Sequence, residues 1–322
     1  MPPALSALRP RLLYGAFAAA ALALSLRLTF PSEAVRERLI YEAGARGLEV
    51  EVQSVRPYSL LGVAMDGVAL TDASGLKVPV EHVEAKLLVL PLLLGRRVVK
   101  VKALVYDGTI EGSAALTGAA RRWAFSAEGV NLSRALPIRR ALSMDLSGAA
   151  SGSFDLTLPG GSLEKASGTV ELKVLRAALG GGQVPIPPLP GTLTLPPIAL
   201  GTASASAKVE GGRVTVEKLE TRGGDVELTG EGMAVVLQPR LEYAPLAGQA
   251  RVRLEPSLWQ KPAATALRPV LEAALPKAQD GSYRFQLAGS LGHPQLRPLA
   301  AGAPGAPPPP PPPAAPPAGE QD

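Results

Sequence analysis

The side chains best suited to chemistry in this chain are its two histidines, His82 and His293. His82 stands between Glu81 and Glu84 in a segment of alternating character, and a histidine beside carboxylates can act as a general base or a metal ligand. Either role needs further ligands or a partner nucleophile, and the neighbouring sequence supplies none. The pattern therefore favours a surface or turn histidine at both positions.

No nucleophile or cofactor motif accompanies the histidines. The 322 residues include no cysteine, which excludes thiolate ligands, cysteine nucleophiles and disulfides. A G-x-S-x-G elbow, a P-loop, an H-E-x-x-H pair and a Rossmann fingerprint are all missing from the sequence. The three glycines at 180–182 run into prolines and not into a helix that could hold phosphate. We therefore predict a protein that is not an enzyme, with no catalytic residue, no cofactor and no bound metal.

The basic residues suggest a charged surface and not a nucleic-acid site. The net charge is +5, but the cations are scattered in pairs with acids between them, and no basic stripe is interleaved with aromatics. One group, Arg96, Arg97, Lys100 and Lys102, follows an apolar stretch and could meet anionic head groups or an acidic partner. We prefer to interpret it as the solvated faces of strands.

The N-terminal segment predicts export from the cytoplasm. Arg9 and Arg11 precede an uncharged apolar run that ends at Leu26. If Arg27 extends its charged end to the membrane surface, the apolar segment continues to Phe30. The positive-inside rule then predicts a cytoplasmic segment over residues 1–11, a transmembrane anchor over residues 12–30 and a body across the membrane. A cleaved signal peptide is the alternative interpretation of the same run.

The remaining sequence predicts a mainly β protein. Apolar residues make up 46% of the chain and aromatics only 4%, while glycine and proline number 34 and 33, a combination typical of short strands joined by turns. From residue 48 onward apolar and polar residues alternate with a period of two. A unit of glycine followed by alternating apolar positions recurs at irregular spacing, as in GSFDLTL, GTVELKV and GDVELTG, which predicts a meandering antiparallel sheet.

Helices are expected at only three places in the body. Residues 32–43 form an amphipathic helix that Ser32 can cap, residues 87–94 end a strand in a short buried helix, and residues 257–275 are helical with breaks at Pro262 and Pro269. The composition divides the body into an N-terminal β-rich region at 31–179, a Gly/Pro-rich linker or cross-over at 180–197, and a C-terminal β-rich region at 198–300. The tail at 301–322 contains seven consecutive prolines and is expected to be disordered.

Several segments together resemble known envelope proteins. Three segments in the first third of the chain resemble the N-terminal repeat of AsmA-like proteins. They are FPSEAVRERL, LEVEVQSVRPYSLLGVAMDGVALTD and VPVEHVEAKLLVLPLLLGRRVVKVKALVYDGTIEG. The resemblance places a hairpin at residues 61–70, a leucine-rich turn at 87–94 and a closing G-x-i-x-G at 107–112. Two later segments are similar to the type II secretion system protein N family, also called general secretion pathway protein N. They are GGRVTVEKLETRGGDVELTGEG at residues 211–232 and DGSYRFQLAGSLGHPQLRP at residues 280–298. The resemblance covers residues 10–298 and includes no catalytic signature.

The resemblance implies a location, partners and two functions. It implies a single-pass inner-membrane protein with its bulk in the periplasm, acting in assembly or scaffolding of the type II secretion machinery beside the inner-membrane platform or the secretin. The AsmA-like relatives imply instead a lipid-binding or lipid-transfer protein, in which an extended, twisted antiparallel sheet forms an AsmA-like groove or an open sandwich. Long alternation of small aliphatic residues, such as that around Val216, could line such a groove and leave room for acyl chains.

Overall fold

The structure is a computed structural model that describes residues 29–45, 49–59, 61–71, 77–135, 145–185 and 192–299, with the single residues 14, 17, 21 and 25. The segments predicted at 1–11 and 301–322, and most of the anchor predicted at 12–30, lie outside these residues. Within the described residues, no helix is long and apolar enough to cross a membrane. The chain forms two compact units, Met1–Gly161 and Ser162–Asp322.

Unit 1 is an antiparallel meander in which each strand pairs with the next along the chain. Its strands are β1 Glu49–Pro57, β2 Gly62–Thr71, β3 Lys77–Leu87, β4 Val98–Val105, β5 Gly108–Ala115, β6 Ala120–Asn131 and β7 Leu146–Pro159. Helix α1 (Ser32–Gly44) precedes β1, helix α2 (Val89–Leu93) joins β3 to β4, and a 3₁₀ turn (Leu132–Arg134) follows β6. The mainly β prediction is therefore confirmed for this unit.

The alternation of apolar residues changes phase halfway along the first three strands. In β3, Val78 and Val80 are apolar and have even numbers, whereas the apolar residues that follow, Val83, Ala85 and Leu87, have odd numbers. The residues on either side of this change nevertheless belong to one cluster, because Val55 and Ala103 are buried together with Val52 and Val80. The change of phase therefore does not divide the buried core of these strands.

The buried core of unit 1 extends to both sides of the phase change, since it includes Val55 and Ala103. It contains Val52, Val68, Val80, Val105 and Tyr106, and Phe30 and Val35 pack against it. Ser32 was expected to cap α1, but the N-cap residue is Pro31, with no side-chain capping bond, and Ser32 is the first helical residue. Packing of the first turn against the core therefore positions this helix.

The glycines of the closing motif in β5 are explained by the close approach of β6. A Cβ atom on Gly108 would lie 2.6 Å from the Val130 backbone, and one on Gly112 would overlap the ring of Phe125, its cross-strand partner. Phe125 in turn stacks on Phe154 with 5.3 Å between the ring centroids. These two positions therefore require glycine for packing and not for a turn.

Unit 2 repeats the meander plan. Its main strands, again paired in chain order and antiparallel, are β8 Ser167–Leu179, β11 Ile198–Glu210, β12 Arg213–Arg222, β13 Val226–Val236, β14 Leu246–Leu254, β15 Tyr283–Gly289 and β16 Pro294–Pro298. Strands β9 (Gly182–Pro185) and β10 (Thr192–Leu195) form a separate hairpin. The segment predicted as a linker at 180–197 therefore contains this hairpin, and the two units divide at Gly161 instead.

Helix α3 (Pro262–Ala274) is the one long helix among the described residues of unit 2, and a 3₁₀ turn (Leu258–Gln260) leads into it. Pro262 is its first residue, where the missing N–H costs nothing. Pro269 was expected at a break or a kink; the helix does not break there but continues through this exposed proline. Bulges in the strands preserve the face pattern; in β12 an extra residue at Glu217 keeps Val216 and Leu219 on one face.

Candidate functional site

Three features of the described residues could support a function: a polar row around His82, an apolar face of the unit 1 sheet and an apolar pocket in unit 2. In the polar row, Ser54, Asp66 and His82 lie opposite one another on β1, β2 and β3. The His82 Nδ1 atom is 2.6 Å from Asp66 Oδ1, and its Nε2 atom is 3.4 Å from Glu84 Oε1. Asp66 also accepts hydrogen bonds from Ser54 and Arg56.

The hydrogen bond with Asp66 raises the pKa of His82 above its ordinary value, although partial burial opposes the shift. The same hydrogen bond lowers the pKa of Asp66. The Asp66 carboxylate is already engaged by Arg56, and the described residues contain no group of three ligating side chains that could hold a metal ion. The row therefore forms a hydrogen-bonded pair of a histidine and a carboxylate at the level where the alternation changes phase. His293 lies exposed in the turn between β15 and β16.

The apolar face of unit 1 continues from the buried core, against which Met65, Val83 and Ile110 pack. Its residues come from six neighbouring strands and all are half-buried, so apolar surface remains accessible to solvent. We call this surface the apolar strip; it comprises Val63, Met65, Val83, Ala85, Leu87, Val99, Val101, Ile110, Trp123, Phe125, Phe154 and Leu156. Cross-strand pairing joins them directly, as in Met65 with Val83 and Trp123 with Leu156.

The basic group at β4 is divided by the structure. Lys102 forms an ion pair with Glu111, 2.6 Å between Nζ and Oε1, so its charge is largely neutralised on the strand face. Lys100 instead lies opposite Lys86, a cation facing a cation. Arg96 and Arg97 are exposed in the turn after α2. The preferred interpretation, solvated strand faces, therefore fits Lys102 but not the two arginines, which do not lie on a strand.

The pocket of unit 2 is an apolar space between the sheet and a helix. It measures about 350 Å³ and no polar surface faces into it. The sheet forms one wall, and α3 with the preceding 3₁₀ turn forms the other. The lining residues are Leu179, Pro196, Ile198, Leu200, Thr221, Val226, Leu228, Val252, Leu254, Leu258, Trp259, Ala264, Leu271, Leu275, Tyr283 and Phe285. Its volume lies within the range of about 300–1,000 Å³ that is typical of small-molecule sites.

A buried carboxylate fixes the helical wall of this pocket to the sheet. The Asp225 side chain is 8% exposed; its Oδ2 accepts from Lys261 Nζ at 2.6 Å and from the Ala199 N–H at 2.7 Å. Its Oδ1 accepts from Ser257 Oγ at 3.1 Å, and Lys261 also donates to the Pro197 carbonyl. Pro196 and Ile198, which flank Pro197, line the pocket, and so does Trp259, two residues before Lys261. We call this arrangement the Asp225 clamp.

The protonation state of the clamp follows from opposing causes. Burial of Asp225 raises the pKa of its carboxyl, but the bonds from Lys261, Ala199 and Ser257 outweigh burial and bring the pKa below its ordinary value. The carboxylate is therefore ionised at neutral pH. Sequence reasoning missed this residue, because an acid after Gly223 and Gly224 is typical of a turn, and its partner stands 36 positions further along the chain.

Sequence reasoning also misjudged what lines the apolar space. Few aromatics were taken to favour a trough lined by small aliphatic residues, whereas Trp259, Tyr283 and Phe285 are part of the pocket wall. Val216, which represented the expected lining, is half-buried on β12 and is not among the lining residues.

The fold and these features define a class: a mainly β protein of two antiparallel meanders in chain order, with one accessible apolar face and one apolar pocket beneath a helix. Comparisons with protein-family models, with curated proteins and with solved structures find no match to this chain.

Proposed function

We propose that this chain is a non-enzymatic component of the type II protein secretion machinery, held in the bacterial inner membrane by its N-terminal segment, with its body in the periplasm, where it acts in assembly or scaffolding. The observation that carries the proposal is the series of segments that resemble the AsmA-like repeat and the protein N family. In the structure, residues 61–70, which were expected to form a hairpin, lie in β2 and the residue before it, the leucine-rich turn contains α2, and the closing glycines lie in β5. The segments similar to the protein N family lie on β12 and β13 and on β15 and β16.

Open strand edges give this scaffold a means of contacting partners. β1 pairs only with β2 and β16 only with β15 within the main sheets of the described residues. Edge strands offer unpaired backbone groups to which another chain can add a strand. In β16 the prolines at 294 and 298 remove two donors from a five-residue strand, so we expect the partner at β1 and not at β16.

Gene deletion combined with cross-linking tests the proposal. Deletion should prevent secretin assembly or exoprotein export, and a photo-reactive residue in place of the exposed Gln53 on β1 should capture a secretin or inner-membrane platform protein. The same residue in place of Gln295 on β16 is the matched control. Unchanged export, together with no such cross-link at position 53, would refute the proposal.

The unit 2 pocket favours a second candidate function, which is lipid binding or transfer in the envelope. A space of about 350 Å³ with no polar lining surface suits an acyl chain, whereas it offers nothing to hold a polar ligand. The ligand would be recognised by shape and by burial of apolar surface. The head group would have to remain outside the pocket.

Native mass spectrometry of the body, residues 31–300, purified without detergent, tests this second function. We expect co-purified lipid that is lost when Leu228→Trp fills the pocket. Val216→Phe is the matched control, because Val216 is half-buried on the adjacent strand but does not line the pocket. The absence of lipid from the unmodified body would rule this function out, and equal loss in both variants would mean that the pocket is not the binding site.

A further inference from the structure

The turn that contains α2 is apolar and exposed, although it was expected to be a buried helix. Leu90, Leu93 and Leu94 are 72%, 78% and 73% exposed, and Val89 is 45% exposed. The turn is nevertheless well built: the Leu88 N–H donates to the Val98 carbonyl and the Arg96 N–H to the Pro91 carbonyl, both within 2.9 Å. An ordered turn that presents leucines to water is unusual in a soluble monomer and marks an interaction surface.

Two neighbouring turns extend this surface. β1, β3 and β5 run in the same direction, so the turns that follow them lie at one end of the unit 1 sheet. Leu61 and Leu116, 42% and 50% exposed, belong to the other two turns. The Leu87 N–H donates to the Leu61 carbonyl and the Leu116 N–H to the Arg97 carbonyl, each at 2.8 Å, which joins all three turns. We call these exposed residues the apolar tip: Leu61, Val89, Leu90, Leu93, Leu94 and Leu116.

The three turns that carry the apolar tip contain only positive charges. Arg96 and Arg97 lie next to Leu94, and Lys86 and Lys100 face each other on the strands directly below. None of these cations has a carboxylate partner within 4 Å among the residues that the structure describes, and residues 58–61, 88–97 and 116–119 contain no acid. The carboxylates at this end of the sheet lie on strands, where Glu84 accepts from Tyr58 and Glu111 pairs with Lys102. An apolar patch with a cationic rim matches the head-group boundary of an anionic bilayer, where leucines enter the acyl region and cations remain with the head groups.

We propose that the apolar tip of unit 1 is a membrane-contact site that inserts its leucines into a bilayer rich in anionic lipid. The insertion is separate from any N-terminal anchor, because it uses a different part of the chain. It also stands apart from the secretion and lipid-transfer proposals, because it concerns the bilayer surface and not a protein partner or a ligand in the pocket. An acidic protein would satisfy the cations but would leave the protruding leucines without a matching environment.

A fluorophore at the apolar tip tests the proposal in the full-length protein. The chain contains no cysteine, so Leu93→Cys provides a single attachment point, and Leu296→Cys on β16, where the native side chain is 64% exposed, is the matched control. Both proteins are reconstituted in phosphatidylcholine vesicles with or without phosphatidylglycerol at about one third of the lipid, a proportion that gives a strongly negative surface. Acyl chains that carry bromine quench a fluorophore that enters the bilayer core.

We expect strong quenching at position 93 with phosphatidylglycerol, little without it, and none at position 296. Exchanging Arg96 and Arg97 for glutamine should weaken the insertion equilibrium, read from the quenching, by about five-fold for each lost cation. Both arginines are exposed, so these variants should fold, and matching circular dichroism spectra would verify this. Equal quenching at both positions, or equal quenching in the two lipid mixtures, would overturn the proposal. So would shielding of position 93 only after other envelope proteins are added.

Discussion

The Asp225 clamp allows a quantitative prediction about unit 2. Asp225→Ala removes the acceptor of the Ala199 N–H and of the Ser257 hydroxyl in a place from which water is largely excluded. A buried donor without a partner costs about 1–3 kcal/mol. Lys261 is 39% exposed and can turn its ammonium to water, so the lost ion pair adds little. We expect a loss of about 2–3 kcal/mol, with Asp225→Asn at about half that cost because it retains most of the hydrogen bonds.

The two tryptophans provide an assay that separates the units. Trp259 lines the pocket in unit 2, and Trp123 lies on β6 in unit 1, so Trp123→Phe leaves a fluorophore that reports on unit 2 alone. With a urea dependence of about 2 kcal/mol per molar, the Asp225→Ala transition should move down by about 1 M. In the complementary Trp259→Phe background, the same substitution should leave the Trp123 transition in place.

The clamp also has a pH dependence with a definite sign. The folded pKa of Asp225 lies below its ordinary value, so its ionised form stabilises the folded state. That contribution is complete above the unfolded pKa of about 3.9 and disappears as the pH falls through the folded pKa. The difference between the native protein and Asp225→Asn should therefore be constant near neutrality and shrink below about pH 4. A difference that persists in acid, or a Trp259 transition unmoved by Asp225→Ala at pH 7, would refute the reasoning.

Three further predictions concern unit 1. In an NMR titration, the pKa of His82 should lie above the ordinary histidine value because of its bond with Asp66, and Asp66→Asn should lower the pKa of His82. The stabilisation that His82 gains from this bond is present below about pH 6.5 and is lost as the pH rises through the raised pKa. Gly112→Val should cost about 1–3 kcal/mol, read from Trp123 fluorescence in urea, because the new side chain overlaps the ring of Phe125. Leu158→Ala should lower the free energy of unfolding by about 2–5 kcal/mol in the same measurement, because Leu158 is 0% exposed. A loss below about 1 kcal/mol is smaller than a buried cavity of this kind costs and would contradict the packing described.

The period of two in the sequence was sufficient to predict most of the strands, because alternation is a local property of each segment. The face that each strand buries was less predictable. The sequence itself shows that the alternation of apolar and polar residues changes phase near Gln53 in β1 and near His82 in β3. Only the register between the strands shows that both changes fall at the same level of the sheet. The exposure of α2 could not be predicted, because a run of leucines has the same sequence pattern whether the leucines are buried or exposed to solvent.

The pocket and its clamp were beyond prediction from the sequence for a different reason. Leu228, Trp259 and Phe285 are far apart in the chain and meet only after six strands, the 3₁₀ turn and α3 have assembled. Asp225 gains its importance from the same assembly, since its three donors come from β11 and from the segment before α3. Local patterns predict elements, whereas a site built from long-range contacts requires the register and the packing of those elements.

The distribution of the few large aromatic side chains connects these observations. The sequence contains five phenylalanines and two tryptophans. Trp123, Phe125 and Phe154 lie on the apolar strip of unit 1, and Trp259 and Phe285 line the pocket of unit 2. The buried core of unit 1, by contrast, consists mainly of valine and alanine with Tyr106. Aromatic rings contribute more apolar contact area per residue than valine or alanine does, and here five of these seven rings lie where surface stays accessible or a space stays open, whereas Phe30 packs against the core. Such a distribution is expected of surfaces that bind something, because rings needed only for stability would be buried in the core.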